Sequence, residues 1–192
     1  MQYCHLRLLQ QFRKIERRVL VNASARKEND VEHSYSLAML AWYIYATYKL
    51  NLNIEKVLQY ALVHDLVEVY AGDVWFYEND QKILDNKKEN EKVAADRIAS
   101  EHPEFPDLHT IIADYEAKKD LESRFVYALD KVEPMLNTYL DQGKTWKSEN
   151  ITLTQLETLK APKVAIDSTI DQIFKDLIKK LKTEERNLFS VQ

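Results

Sequence analysis

Glycine, proline and cysteine are scarce in this chain. Its 192 residues include only 2 Gly, 4 Pro and 1 Cys. Because tight turns usually need glycine, proline, asparagine or aspartate, this scarcity favours long helices joined by few connections. The single cysteine, Cys4, excludes an intramolecular disulfide and fits a reducing, cytoplasmic setting.

Long apolar runs and a basic charge balance are also missing. No stretch approaches the ~20 apolar residues that a membrane span requires, and the N-terminal segment lacks the apolar core of a signal peptide. The formal net charge is -4, so nothing points to nucleic-acid binding. We therefore expect a cytoplasmic protein with no membrane or nucleic-acid partner. A phosphorylated ligand would need local positive charge, from a metal ion or from a few arginine and lysine side chains.

The remaining composition is that of one folded domain, with 45% hydrophobic and 30% charged residues. Apolar residues at helical spacing predict helices over about 3–20, 31–50, 80–100, 108–118, 121–140 and 162–185, and a third helix in the chain that carries Val57, Leu58, Ala61, Leu62 and Asp65. Asn53 is the expected N-cap of the third helix, and 22–30 and 146–150 are expected to be loops. We predict a single all-α domain over residues 1–192, with the C-terminal helices at about 151–185 packed on the rest.

Three short segments place polar side chains on apolar helix faces. They are Glu32-His33-Ser34, His64-Asp65-Leu66-Val67-Glu68 with Gly72-Asp73, and Leu129-Asp130-Lys131-Val132-Glu133. Burying a carboxylate is costly unless it is paired or bound to a metal. A shared metal ion would satisfy the polar groups of all three segments at once, although a lone histidine at the position of His33 is more often a core or capping residue than a ligand.

The order of these segments resembles the HD superfamily of metal-dependent phosphohydrolases. Residues 26–34 are similar to the R-x-E-N-V-x-E-H-S stretch of the bacterial HD-domain 5′-deoxynucleotidases. Residues 64–73 are similar to their HD-x-x-E…GD block, and residues 130–133 to their D-K/R-L-E. The similarity covers about residues 3–140. It implies an all-α HD-domain bundle of about seven or more helices around one metal site.

The resemblance implies that His33, His64, Asp65 and Asp130 bind one divalent ion. Two imidazoles and two carboxylates suit Mn, Co, Fe, Ni or Zn better than Mg. Such an ion lowers the pKa of a bound water toward ~7, which implies attack of metal-bound hydroxide on phosphorus. The expected reaction releases phosphate from a small-molecule substrate, a nucleoside 5′-monophosphate.

Three further residues receive roles from the same resemblance. It implies that Glu68 moves the proton of the reaction, that Asp73 contacts the sugar hydroxyl and that Arg18 contacts the phosphate. Each has a plainer alternative: an exposed helix glutamate paired with lysine, an acid in a helix C-terminal turn, and a solvated surface charge, with Arg17 as competitor. Val19 stands where the family has a tryptophan that helps exclude a ribose 2′-hydroxyl, so selectivity for deoxynucleotides is not implied.

Other functions stay open from the sequence. HD proteins also cleave triphosphates, cyclic dinucleotides and guanosine polyphosphates. The chain lacks the GYP tripeptide of the cyclic-dinucleotide type and an extra histidine pair for a second metal, which favours a mononuclear site. A non-catalytic metal-binding scaffold is the alternative outside the enzymes. Because family members are often dimers, a homodimer is also expected.

Overall fold

A computed structural model of the chain describes residues 2–77 and 81–190. Within them the chain is mainly helical, which confirms the predicted all-α class, and no helix combines the length and apolar character of a membrane span. The elements are α1 (Gln2–Phe12), β1 (Glu16–Leu20), β2 (Lys27–Asn29), α2 (Asp30–Tyr48), α3 (Ile54–Val63), α4 (Glu68–Ala71), α5 (Gln81–Glu101), α6 (Pro106–Ala117), α7 (Leu121–Leu140), α8 (Lys144–Ser148), α9 (Leu153–Val164), α10 (Ser168–Thr183) and α11 (Glu185–Leu188).

The first helix is shorter than the sequence predicts. The apolar spacing predicts one helix over about 3–20, but α1 ends at Phe12 and the chain continues into β1. This strand pairs antiparallel with β2, which lies in the expected loop at 22–30. The prediction is wrong here because the pairing partner lies about ten residues away, where helical spacing carries no information about it.

Two predictions for the C-terminal part are also wrong. Residues 146–148 of the expected loop at 146–150 belong to α8, and the last helix predicted at about 162–185 is divided between the end of α9 and α10. Pro162 lies near the C-terminal end of α9 rather than in a first turn. The side chain of Asp167 starts α10 by accepting a 2.9 Å hydrogen bond from the backbone N–H of Ile170. This cap breaks the apolar pattern into two helices.

The main hydrophobic core surrounds α7, which contacts α2, α3, α9 and α10. The apolar stripe of α10 is buried in this core, so it closes the domain. A smaller cluster joins α1, α5 and α6 with residues just before α4. A cleft of about 1000 Å³ opens between the two clusters, lined by Ile112 from the smaller one and Met135 from the larger.

Candidate metal centre

The start of α2 fixes the position of His33. The side chain of Asn29 accepts a 3.0 Å hydrogen bond from the Glu32 backbone N–H, and Glu32 Oε2 accepts one of 3.1 Å from the Asn29 N–H. This capping box defines the first helical residues. Arg26 donates two hydrogen bonds of 2.8 Å to the Glu32 carboxylate. Residues 26–32 therefore anchor the helix end that carries the fully buried His33.

His33 is held by a carboxylate on α7. Its Nδ1 lies 3.0 Å from Glu133 Oε2, and its Nε2 lies 3.1 Å from Asp130 Oδ1 and 3.9 Å from Asp65 Oδ2. A carboxylate that orients an imidazole in this way is typical around bound metals. Burial and Arg17 act to lower the pKa of His33, but hydrogen bonds to the Asp130 and Glu133 carboxylates raise it to about 10. The site thus strongly attracts positive charge.

His64 follows the last residue of α3, and its Nε2 lies near the ligand atoms of His33 and Asp130. Its Nδ1 lies 3.0 Å from the Ala61 carbonyl oxygen, so this nitrogen carries the proton and donates it. Its Nε2 is buried and has no hydrogen-bond partner among the described residues, although Asp65 Oδ2 lies 3.0 Å away. That contact is close but lacks hydrogen-bond geometry. A buried imidazole lone pair of this kind fits a metal ligand.

The four side chains named from the motifs converge on one point. One ligand atom from each of His33, His64, Asp65 and Asp130 lies within 4.8 Å of every other. The described residues therefore hold a cluster able to bind a divalent metal ion. Its two nitrogen and two oxygen donors match the preference of first-row transition ions.

Arg17 reaches this cluster, whereas Arg18 does not. Arg17 Nη1 lies 2.7 Å from Asp65 Oδ2. The next side chain of β1 leaves on the other face of the strand, and Arg18 Nη1 lies 3.3 Å from Glu149 Oε2. The Arg18 side chain is 49% exposed and its guanidinium lies 5.6 Å from the Trp75 ring centroid. Arg18 still lines the cleft mouth, while Arg17 supports the cluster.

Glu68 and Asp73 both line the cleft beside the cluster. Glu68 is buried, so it is not the exposed, lysine-paired glutamate of the plainer alternative. Burial, together with the Asp65 and Asp30 carboxylates, raises the pKa of Glu68 well above its usual value. Asp73 follows Gly72 directly after α4, and burial raises its pKa as well. Both carboxyl groups are thereby biased toward holding a proton.

Three acids beside the cluster were not assigned from the motifs. Glu28 and Asp30 are buried at 4% and 0% exposure, and Glu133 contacts His33 as described. Burial raises the pKa of Glu28 and of Asp30 to about 7, assisted by the neighbouring carboxylates Glu133 and Asp65 respectively. All three lie inside the matched stretches, but their burial depends on how the helices pack, which the motif does not reveal.

Two cleft lysines on α9 were also missed. Lys160 and Lys163 line the cleft, and Lys160 shares the buried face of α9 with Leu153, Leu156 and Val164. A lysine in register with buried apolar residues was the available signal. It was obscured because the sequence places the last helix start at Pro162 and leaves Lys160 outside it.

Comparison with known proteins places the chain among HD-domain proteins. The family model described as HD domain matches residues 9–173. The 5′-deoxynucleotidase HDDC2 of Mus musculus is 31% identical over 134 residues, which are 68% of this chain and 65% of that protein. The same protein from Homo sapiens is 30% identical, with 68% and 63% covered. The match thus spans slightly less than two thirds of these curated relatives.

A solved structure extends the likeness to the whole chain. The crystal structure of a predicted metal-dependent phosphohydrolase from Magnetospirillum magnetotacticum is 26% identical, with a TM-score of 0.80. The superposition covers 98% of this chain and 96% of that one. The C-terminal helices α9 and α10, which lie beyond the recognisable motifs, are therefore part of the shared architecture.

Proposed function

The chain belongs to the HD-domain family, and from that premise we propose that it is a metal-dependent phosphohydrolase that releases phosphate from nucleoside 5′-monophosphates. The observation that carries the proposal is the convergence of two imidazoles and two carboxylates beside a cleft of about 1000 Å³. The relatives named 5′-deoxynucleotidase and the phosphohydrolase structure support the same reaction class.

His33, His64, Asp65 and Asp130 would hold the ion, and the two imidazoles favour Mn, Co, Fe, Ni or Zn over Mg. When bound there, the ion would polarise the phosphate and lower the pKa of a water molecule. The protein's own task is to keep the donors in place. Glu133 orients His33, and Arg17 orients Asp65.

Glu68 is the proposed proton carrier. In the reaction a water oxygen bonds to phosphorus while the bond from phosphorus to the 5′-oxygen breaks, and the 5′-oxygen must end with a proton. Burial raises the pKa of the Glu68 carboxyl group and so biases it toward holding a proton that it can deliver. General acid catalysis of this kind is worth about 10²- to 10⁴-fold in rate. Asp73 is proposed to bind the sugar hydroxyl, and Arg18 to contact the substrate at the cleft mouth.

Val19 bears on the choice between deoxy- and ribonucleotides. It is buried in β1 and lines the cleft beside Arg18. Because it is much smaller than the tryptophan that the resembled family places there, we propose weak discrimination against a 2′-hydroxyl. The ratio of deoxy- to ribonucleotide turnover measures this directly.

The test is phosphate release from nucleoside mono- and triphosphates by metal-stripped protein after addition of Mn, Co, Ni, Zn or Mg. Glu68→Ala is assayed beside Glu55→Ala, a change at an exposed residue of α3. Release from 5′-monophosphates that needs a transition metal and Glu68 would establish the proposal. Release only from triphosphates or guanosine polyphosphates would redirect it to those substrates. No release from any of them, with metal bound and lost in Asp65→Ala, would favour a scaffold.

The assembly state and the location stay predictions. A homodimer is tested by light scattering of the metal-loaded protein, and a cytoplasmic location by fractionation of cells that express the chain.

A further inference from the structure

Lys160 places an ammonium group inside the fold next to the metal cluster. The residue is 4% exposed and lies on the face of α9 that packs against the domain. Its Nζ donates a 2.7 Å hydrogen bond to the main-chain carbonyl of Lys131. Lys131 is the neighbour of Asp130, and its ammonium pairs with the Asp130 carboxylate. Helix α9 thus places the Lys160 side chain next to the residue that follows Asp130, a proposed metal ligand.

Three ammonium groups surround one aromatic ring in the cleft. The Nζ atoms of Lys163, Lys160 and Lys131 lie 4.1, 4.3 and 6.0 Å from the centroid of the Phe76 ring. The ring quadrupole attracts cations, but such a contact is worth only about 0.5–2 kcal/mol. It does not account for several like charges in one place, since a buried charge is costly unless it is paired.

Among the side chains that the structure describes, no acid forms an ion pair with Lys160 or Lys163, in contrast to Lys131, which pairs with Asp130. Burial and the charge of Lys131 lower the pKa of Lys160 to about 7, and the same two causes lower the pKa of Lys163. The arrangement is therefore electrostatically unfavourable until an anion enters the cleft.

The position of these lysines identifies the anion. They lie in the same cleft as Glu68, Asp73 and the His–Asp cluster, on the side formed by α7 and α9. An ammonium group is a standard ligand of phosphate oxygens. Arg18, the residue that the motif suggests for this task, is half exposed and paired with Glu149, so the buried side of the cleft needs another cation.

We propose that Lys160 and Lys163 of α9, with Lys131, form the phosphate-binding wall of the cleft and hold the non-bridging oxygens of the substrate's phosphate beside the metal cluster. This inference rests on the proposed function, since the anion is the phosphate group of that substrate. It also gives the C-terminal helices a role in the site beyond closing the core.

Binding of inorganic phosphate to the metal-loaded protein tests this wall. Isothermal titration compares the wild type with Lys160→Met and Lys163→Met, which keep the length of the side chain and remove its charge. Lys163→Arg restores the charge, and Lys179→Met, at an exposed α10 lysine paired with Asp176, controls for net charge. We expect each methionine variant at positions 160 and 163 to lose about tenfold or more in phosphate affinity.

The same variants are assayed with a nucleoside 5′-monophosphate. If these lysines bind the phosphate, we expect a raised KM in the two methionine variants, a KM near that of the wild type in Lys163→Arg and an unchanged KM in Lys179→Met. Phosphate affinity within about twofold of wild type in both methionine variants would overturn the inference, as would no measurable phosphate binding by the wild type. Because Lys163 is only partly buried, its variant decides the matter if Lys160→Met fails to fold.

The two proposals fail in different ways. Lysine-dependent phosphate binding without release of phosphate from any monophosphate would support the phosphate-binding role of the lysines and reject the proposed nucleotidase activity. Hydrolysis of monophosphates with unchanged KM and phosphate affinity in both methionine variants would support the nucleotidase activity and reject the phosphate-binding role of the lysines.

Discussion

Arg17 donates a hydrogen bond of 2.7 Å to Asp65, which links the β-hairpin to the turn after α3. Burial acts to lower the pKa of Arg17, but the carboxylates of Asp65 and Asp130 outweigh it and raise that pKa. Because Asp65 is a proposed metal ligand, Arg17 acts on the ion through its ligand. Arg18, one residue along the strand, pairs with Glu149 and lines the cleft mouth instead.

The two adjacent arginines should therefore affect different kinetic constants. Arg17→Met removes the partner of a metal-binding carboxylate, so we expect kcat and metal affinity to fall by about 10- to 100-fold. Arg18→Met removes an exposed charge, so we expect KM to rise by less than about tenfold with kcat unchanged. Steady-state kinetics and metal content of both variants measure this. A loss of kcat confined to Arg18→Met would contradict the assignment.

Glu133→Gln should weaken metal binding although Glu133 is not itself a proposed metal ligand. The charged acceptor 3.0 Å from His33 Nδ1 becomes an amide, which orients the imidazole less strongly and leaves it less basic. We expect metal affinity to drop by about 10- to 100-fold. Competition with a chromophoric chelator measures the dissociation constant, with Glu55→Gln as the surface control. An affinity equal to wild type would show that Glu133 has no orienting role.

Lys160 should make the stability of the protein depend on pH. Its pKa is about 7 in the folded protein and about 10.4 in an unfolded chain. Between these values only the unfolded state binds the proton, so this residue makes the free energy of unfolding rise with pH. Below pH 7 both states are protonated, and the full cost of burying the charge applies.

The measurement is urea unfolding of wild type and Lys160→Met at pH 6, 7.5 and 9 in phosphate-free buffer. We expect the stability advantage of the methionine variant to be largest at pH 6 and to shrink by pH 9. The other titrating groups are common to both proteins and cancel in the difference. Lys179→Met should show a difference that does not vary with pH, and a pH-independent difference for Lys160→Met would refute the prediction.

The two glycines should respond differently to alanine. Both have positive φ, but they differ in ψ. Gly143 (φ 71°, ψ 17°) lies in the left-handed helical region, which costs an alanine about 1–2 kcal/mol. Gly72 (φ 79°, ψ 151°) lies in a region that essentially only glycine occupies, which costs an alanine about 1–3 kcal/mol. A Cβ at Gly72 meets nothing within 4 Å, whereas one at Gly143 would lie 2.0 Å from the backbone oxygen of Leu188.

We therefore expect Gly72→Ala to lower the free energy of unfolding by about 1–3 kcal/mol. Gly143→Ala should lower it by more, because α11 must move away from the new methyl group. Thermal and urea unfolding of the two variants give the comparison. Equal losses would mean that α11 shifts at no cost.

Several local features follow from sequence pattern alone. The bounds predicted for the helix at 121–140 are those of α7, and Asn53 caps α3 as expected. The four proposed metal ligands were recognisable because each is a polar residue in or beside an apolar segment, within spaced motifs that resemble those of a known family. Such signals lie within a few residues of one another, so they can be recognised without knowledge of the fold.

Other features depend on contacts between distant segments. The end of α1 and the start of β1 depend on pairing with β2, and the alternation along that strand directs Arg17 rather than Arg18 to the cluster. The burial of Glu28, Asp30 and Glu68, which raises their pKa values, comes from helices packed around them.

The sequence by itself determined the helical class, the family and the chemical types of the proposed metal donors, because composition and short motifs are enough to predict them. Tertiary structure alone decided which cations enter the cleft. Lys160 and Lys163 lie about thirty residues after Asp130, and only the docking of α9 against α7 places their charges beside it. Charges interact through space rather than along the chain, so the position of these two lysines in the cleft could not be predicted before the fold was known.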